Sequence, residues 1–181
     1  MMPRDTGTTS RRVAKPLYTA EQRRRRDASR WTLVQGVLAP IQFAVFLVSL
    51  CLVLRALVTG HGFAIASASV LVKTLVLYTI MVTGAFWERD IYGRYLFAAA
   101  FFWEDAVSMI VLALHTAYVA ALLTGALHGP QMLVLALVAY ASYLINAGQF
   151  LLKLRAARRS QAQDPLSVQA GVSVGTGSIA A

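Results

Sequence analysis

The sequence predicts an all-α membrane protein, a bundle of four transmembrane helices, and three observations support this class. Apolar residues make up 57% of the 181 positions, and the mean hydropathy is +0.59, which is high for a soluble domain. Residues 31–54 contain no charged side chain, and residues 63–87 contain only Lys73. Residues 106–152 lack Asp, Glu, Lys and Arg, and this stretch is too long for one crossing because about 20 apolar residues span the hydrocarbon layer.

The long apolar stretch divides into two helices. Gly125, Gly129 and Pro130 interrupt it, and this combination is typical of a turn between helices. We therefore predict a membrane domain over residues 31–158. Its four predicted spans are 31–55, 64–87, 102–124 and 131–153.

The flanking segments differ in composition from the membrane domain. Residues 19–30 are predicted to form a basic cytoplasmic helix that begins with a capping box between Thr19 and Gln22. The two tails, residues 1–18 and 159–181, are polar and rich in small or helix-breaking residues. We expect both tails to be disordered, because they contain too little apolar surface to bury.

The basic residues predict the orientation of the chain. Nine Lys and Arg residues precede Trp31, two lie between the second and third spans, and four follow the last span, whereas the remaining connections hold only Arg55. Both termini and the 88–101 loop are therefore expected in the cytoplasm. The arginine run 23–26 abuts a span, where attraction to anionic lipid explains it and no nucleic-acid partner is needed. The single cysteine, Cys51, excludes a disulfide within the chain and a cysteine-based metal cluster.

Ionisable residues inside the third span are the strongest functional signal, because such groups are costly in a membrane. Adjacent carboxylates, Glu104 and Asp105, open the span, and His115 follows three turns later. A helix turns by about 100° per residue, so Glu104, Ser108 and His115 lie within about 40° of one another. Lys73 and His115 each lie about nine residues, or roughly 14 Å, from the non-cytoplasmic ends of their spans.

The other spans carry stripes of polar residues. The members of these stripes are Gln35, Gln42 and Ser49 on the first span and Ser142, Asn146, Gln149 and Lys153 on the fourth. Trp87 and Glu88 end the second span at the level of Glu104. Four inward-facing stripes predict a polar, partly hydrated cleft that opens toward the cytoplasm.

Structural roles compete with functional ones for these residues. Amides and hydroxyls in spans commonly join helices through hydrogen bonds. The two adjacent acids also fit a cytoplasmic mouth, in which they would pair with Arg89 or Arg94. Lys73 fits a buried counter-ion or a side chain that extends to the membrane surface, and His115 fits a packed histidine with satisfied nitrogens.

Long strings of the membrane part resemble the 2-vinyl bacteriochlorophyllide hydratases, also called chlorophyllide hydratases. These strings are EQRRRRDASRWTLVQGVLAPIQF from position 21, YTIMVTG from position 78 with Trp87 and Glu88, FFWED from position 101 through HTAY ending at position 118, and YLINAGQF from position 143. The resemblance covers roughly residues 18–158.

The resemblance implies an enzyme of bacteriochlorophyll a synthesis in the inner membrane of a phototrophic bacterium, either cytoplasmic or intracytoplasmic. The implied activity is that of a hydro-lyase that adds water to the 3-vinyl group of chlorophyllide a or 3-vinyl bacteriochlorophyllide a, giving a 3-(1-hydroxyethyl) group. The expected partners are the tetrapyrrole, the lipid bilayer and neighbouring enzymes of the pathway. No cofactor is expected, because the magnesium belongs to the substrate.

Hydration of a vinyl group needs an acid for the terminal carbon and a base for the water. In an apolar setting, one of two adjacent carboxyl groups stays protonated while the other accepts a proton. We therefore expect Glu104 to be the acid and Asp105 to orient water or tune its neighbour. Their faces differ by about 100°, so if only one points into the cleft, Glu88 becomes the second carboxylate.

Further residues are expected to bind the substrate. His115 suits an axial ligand to the substrate's magnesium, and base catalysis is its competing role. Asn146 and Gln149 suit the attacking water or ring substituents. The remaining candidates are Trp87 and Trp103 as flat surfaces, Gln42 and Lys73 as polar contacts, and Arg89, Arg94 or Lys153 as a basic rim for the propionate.

Two other classes of function remain open at this point. A non-catalytic pigment-binding or assembly subunit would hold a tetrapyrrole through His115 without chemistry. A small transporter lined by Lys73, Glu104 and His115 is the weaker alternative, because the spans show no inverted repeat.

Overall fold

The computed structural model describes residues 17–162, and these form helices joined by short connections. The helices are α1 (Ala20–Ala28), α2 (Arg30–Thr59), α3 (Phe63–Tyr92), α4 (Phe102–Thr124) and α5 (Pro130–Ala162). The predicted all-helical class is confirmed. Within the described residues, four segments are long and apolar enough to cross a membrane: α2, α3, α4 and Pro130–Arg158 of α5. Disorder is predicted for residues 1–18 and 159–181; residues 1–16 and 163–181 lie outside the described range, whereas residues 159–162 continue the last helix.

The chain divides into two compact units. The larger unit, Tyr18–Lys153, contains α1 to α4 and most of α5, and the candidate site lies entirely within it. The other unit comprises Met1–Leu17 and Leu154–Ala181. Of this second unit, the structure describes Leu17 and the helical residues 154–162.

Local signals in the sequence explain where the helices begin and end. The capping box predicted at Thr19 is present: Gln22 N donates to Thr19 Oγ1 at 3.2 Å, and Thr19 N donates to Gln22 Oε1 at 2.9 Å. Ser29 separates α1 from α2 and caps α2, and its hydroxyl also donates to Asp90 Oδ2 at 2.7 Å. Three helices end at glycines in the left-handed region, which are Gly60, Gly93 and Gly125.

Apolar and aromatic side chains fill the space between the long helices. Small buried residues such as Val53 on α2 and Ala66 on α3 let the backbones of these two helices approach each other closely. A larger aromatic contact joins α2 to α5, where the ring centroid of Phe46 lies 5.4 Å from that of Tyr140 and 4.9 Å from that of Tyr143. The core is therefore apolar where α2 meets α3 and aromatic where α2 meets α5.

Buried hydroxyl groups also hold the helices together. Ser49 Oγ lies 2.7 Å from Ser69 Oγ and 2.5 Å from Tyr140 Oη, which connects α2, α3 and α5 at one level. Tyr118 Oη on α4 donates to Ser67 Oγ on α3 at 3.1 Å. Such bonds matter in lipid, because burial of apolar surface gives little driving force between helices there.

Tyr140→Phe should destabilise the protein by about 0.6–1.7 kcal/mol, the range measured for hydrogen bonds between membrane helices. The change removes only the hydroxyl that meets Ser49. Tyr78→Phe is the matched control, because the Tyr78 hydroxyl bonds Thr116 on an exposed face. Reversible unfolding in mixed micelles measures both losses. A loss for Tyr140→Phe no greater than that for the control would contradict the structural role of this bond.

Candidate active site

Three carboxyl groups are buried together where α3 ends and α4 begins. Glu88, Glu104 and Asp105 are 5%, 8% and 4% exposed, and Lys153 of α5 reaches the same place. We call these four residues the carboxylate cluster. Burial of several carboxyl groups is tolerated only when each one is paired or hydrogen-bonded, so the partners of each oxygen decide what the cluster can do.

The loop between α3 and α4 supplies two of these partners. The backbone N–H of Phe97 donates to Asp105 Oδ2 at 2.7 Å, and that of Ala98 donates to Glu88 Oε2 at 3.2 Å. Phe97 has φ +59° and is the single non-glycine residue with positive φ in the described part of the chain. A left-handed residue turns successive N–H groups toward one point, and such strain persists where the surroundings enforce it.

The carboxyl groups of Glu88 and Asp105 lie side by side, because the consecutive backbone N–H groups of Phe97 and Ala98 donate to one oxygen of each. Two ionised carboxylates buried this close repel each other, and neither has a proton to donate. One proton on the pair would remove the repulsion and place a proton donor beside a proton acceptor. This arrangement matches what general acid–base chemistry requires.

Glu104 has a different partner. Lys153 Nζ donates to Glu104 Oε2 at 2.6 Å, and the same ammonium lies 4.6 Å from the ring centroid of Phe101. A short bond between an ammonium and a carboxylate is charge-assisted and stronger than one between neutral groups. The sequence also suggests that Arg89 or Arg94 pairs with the acids, but the partner of Glu104 is Lys153. Arg89 instead bonds the hydroxyl of Tyr95 and lies over its ring.

Further polar side chains are buried deeper along the four long helices. We call Gln42, Lys73, His115 and Tyr143 the deep polar cluster. Lys73 and His115 are fully buried, and Lys73 Nζ lies 3.8 Å from the ring centroid of Tyr143. His115 Nδ1 lies 2.8 Å from the Val111 carbonyl oxygen. A carbonyl only accepts, so Nδ1 carries the proton and Nε2 has the free lone pair.

Several buried polar atoms of the deep polar cluster, and of the α5 residues that lead from it toward the carboxylate cluster, have no hydrogen-bond partner within the described residues. These atoms are Gln42 Nε2 and Oε1, Lys73 Nζ, His115 Nε2, Asn146 Oδ1 and Gln149 Oε1. Each buried donor or acceptor left unpaired costs about 1–3 kcal/mol. So many unpaired groups in one region are typical of a site that binds water or another small molecule.

The other candidate residues divide between the interior and the surface. Asn146 Nδ2 donates to Ser108 Oγ at 2.9 Å, which joins α5 to α4 between the two clusters. Trp87 is partly buried, and its indole N–H donates to Thr32 Oγ1 at 3.0 Å. Trp103 is 72% exposed and lies outside both clusters. The two clusters are also well separated, since eleven residues from Glu104 to His115 rise about 16 Å along a helix.

An exposed group of aromatic rings lies directly beside the carboxylate cluster. The ring centroids of Phe97 and Phe102 are 5.7 Å apart, and those of Phe102 and Trp103 are 5.6 Å apart. All three side chains are exposed, and the backbone of Phe97 touches Asp105. We call these three residues the exposed aromatic group. Because Trp103 directly precedes Glu104 in the sequence, the group offers apolar ring surface next to the buried acids.

Comparison with known proteins agrees with the resemblance seen in the sequence. The family model of the 2-vinyl bacteriochlorophyllide hydratases matches residues 18–156. The chain belongs to this family. It is 68% identical over 142 residues to the 2-vinyl bacteriochlorophyllide hydratase of Cereibacter sphaeroides, covering 78% of the chain and 88% of the relative. No solved structure matches the chain.

A second hydratase of the family, from Rhodobacter capsulatus, is 59% identical over 163 residues. This match covers 90% of the chain and 93% of the relative. Both matches extend over most of the membrane part, so the carboxylate cluster and the deep polar cluster lie within the region that defines the family.

The Glu104–Lys153 ion pair should show strong coupling in a double-mutant cycle. Lys153→Met leaves a buried carboxylate without its cation, whereas the double variant with Glu104→Gln removes both charges. We expect a coupling free energy of about 1–3 kcal/mol from unfolding in micelles. The exposed Glu21–Arg25 pair of α1 is the control and should couple by less than about 0.5 kcal/mol. Equal coupling in the two cycles would show that the ion pair is not buried as described.

Proposed function

We propose that this chain adds water across the 3-vinyl group of chlorophyllide a or of 3-vinyl bacteriochlorophyllide a, giving the 3-(1-hydroxyethyl) product. Membership of the hydratase family supports this activity, and the chain is accordingly a hydro-lyase of bacteriochlorophyll synthesis. The observation that supports the assignment of residues is the buried carboxyl pair of Glu88 and Asp105, which consecutive backbone N–H groups hold side by side; we propose that this pair holds one proton.

The acid–base step uses this pair. The shared proton passes to the terminal carbon of the vinyl group, and the positive charge moves to the inner carbon, next to the macrocycle. The oxygen of a water molecule then bonds to the inner carbon, and the pair takes the proton that the water loses. The pair ends with the same single proton with which it began, so no external proton carrier is needed.

The carboxylate cluster also stabilises the cation formed on the way. Once the pair of Glu88 and Asp105 has given up its proton, and with Glu104 paired to Lys153, the cluster carries two net negative charges. A fixed negative charge in an apolar, water-poor site lowers the energy of a nearby carbocation more than it would in water. Glu104, the acid expected from the sequence, is in this proposal the fixed partner of Lys153.

The macrocycle would approach from the lipid and lie against the exposed aromatic group. Flat apolar rings stack on aromatic side chains, and Trp103 provides the most exposed surface of the three. Exposed Arg94 and Arg89, near the end of α3, would attract the propionate of the substrate. We place this end of the protein at the cytoplasmic face of the bacterial inner membrane, and the distribution of basic residues supports this orientation. Contact with neighbouring pathway enzymes stays a prediction.

Purified protein supplied with chlorophyllide a should form a product heavier by one water, with an absorption band shifted to the blue because the conjugated vinyl group is lost. Asp105→Asn and Glu88→Gln should each lower turnover by about 10²–10⁴-fold, the usual contribution of general acid–base catalysis, with pigment binding retained. Glu104→Gln should lower turnover less, because it removes a fixed charge rather than the transferred proton.

Glu21→Gln on α1 is the control for a change of surface charge and should keep the turnover of the unaltered chain. No product from the unaltered chain in varied detergents and lipids would contradict the hydratase function. Turnover that survives in both Asp105→Asn and Glu88→Gln, but is lost in Glu104→Gln, would contradict the assignment of residues.

A further inference from the structure

The unpaired polar atoms of the deep polar cluster and of α5 include both donors and acceptors. Gln42 Nε2 and Lys73 Nζ are donors, whereas His115 Nε2 is an acceptor, and none of them has a hydrogen-bond partner within residues 17–162. The other unpaired acceptors are Gln42 Oε1, Asn146 Oδ1 and Gln149 Oε1. A ligand that satisfies this set must itself both donate and accept.

This mixture of donors and acceptors restricts which ligand the buried site can bind. An anion would satisfy the donors and leave the acceptors unpaired. A metal ion would use the acceptors and be repelled by the ammonium of Lys73. A tetrapyrrole needs a flat space where Lys73, His115 and Tyr143 are packed together, all at most 7% exposed. Water both donates and accepts, and it is the usual partner of buried polar groups that lack one.

The unpaired atoms follow a path toward the carboxylate cluster. On α5, Asn146, Gln149 and Lys153 succeed one another at steps of three or four residues, which rise about 4.5–6 Å and suit side chains joined by single waters. Lys153 itself bonds Glu104. On α4, Ser108 lies one turn from Glu104 and accepts from Asn146. The path therefore ends at the Glu104–Lys153 ion pair, beside the carboxyl pair assigned to catalysis.

On the other side of the deep polar cluster, the polar side chains are already paired. Tyr118 bonds Ser67, and Ser49 joins Ser69 and Tyr140. Because these hydroxyl groups already bond one another, they do not extend the row of unpaired atoms in that direction. The unpaired atoms thus extend from His115 toward the carboxylate cluster and stop there, which is the arrangement of a path that serves the site rather than one that crosses the membrane.

We propose that Gln42, Lys73, His115, Asn146 and Gln149 hold a chain of bound water that supplies the molecule added to the vinyl group. This inference rests on the proposed hydratase function. A macrocycle lying on the exposed aromatic group shields the carboxylate cluster from the outside, so the attacking water comes from the interior. Lys73 donates to the chain at its deep end, and His115 Nε2 accepts from it.

Radiolytic footprinting of the full chain in lipid nanodiscs tests for the water directly. Hydroxyl radicals formed from bound water label the side chains beside it, even where bulk solvent is excluded. Tyr143 in the deep polar cluster should be labelled, whereas Tyr118, which is buried and bonded to Ser67, is the matched control and should be protected. Equal protection of the two tyrosines would overturn the proposal, whether or not the protein turns over substrate.

Turnover of the Gln42→Leu variant tests the role of the water. This nearly isosteric change removes both unpaired amide atoms and should lower kcat about tenfold, as for a poorly positioned reactant, with KM unchanged. Ser67→Ala, on the paired side, should leave both constants unchanged. A raised KM with weaker pigment binding would mean that these residues contact the macrocycle. An unchanged kcat would mean that they do not supply the reacting water. Either result overturns the proposal. Absence of product from the unaltered chain would instead refute the hydratase function.

Discussion

The burial of Glu88 and Asp105 side by side is the constraint on which the rest of the site depends. Two carboxyl groups this close in an apolar interior repel each other when both are ionised. Consecutive N–H groups of one loop bind both acids, and this joins the end of α3 to the first turn of α4. A third carboxylate, Glu104, is buried beside them and paired with Lys153. The proposed shared proton serves both the packing and the chemistry at this end of the protein.

The loop between α3 and α4 works with that constraint. Its left-handed residue, Phe97, directs the N–H groups of two successive residues to the two acids. Because phenylalanine has no intrinsic preference for positive φ, the carboxyl pair and the aromatic contacts of the loop must hold it there. The same residue presents its ring to Phe102 on the outer surface. One residue thus connects the buried carboxyl pair to the surface on which a flat substrate would lie.

Helical periodicity and residue types predicted much of this arrangement. The apolar runs and their interruptions gave the four candidate spans, and the capping box at Thr19 is present as predicted. The burial of Glu104, Ser108 and His115 follows from their position on one face of α4. The polar stripe on α5 does meet this face, as the hydrogen bond from Asn146 to Ser108 illustrates. Periodicity is sufficient for these features because it fixes the face and the depth of each residue.

The partners of individual atoms could not be predicted in the same way. The pairing of Glu104 with Lys153 joins residues 49 positions apart, and it depends on how α4 and α5 pack rather than on either helix alone. The two amides that hold the carboxyl pair depend on a loop conformation that has no signature in residue type. Trp103 is on a helix rich in apolar residues, and no pattern separates a ring that faces the interior from one that faces lipid.

Infrared difference spectroscopy of the carboxyl groups tests the shared proton most directly. At neutral pH, the unaltered chain should show a protonated carboxyl band that shifts in D₂O, and this band should disappear in Asp105→Asn and in Glu88→Gln alike, because each variant removes one member of the pair. Glu104→Gln should leave the band in place. The absence of a protonated carboxyl group in the unaltered chain, or its loss only in Glu104→Gln, would contradict the account.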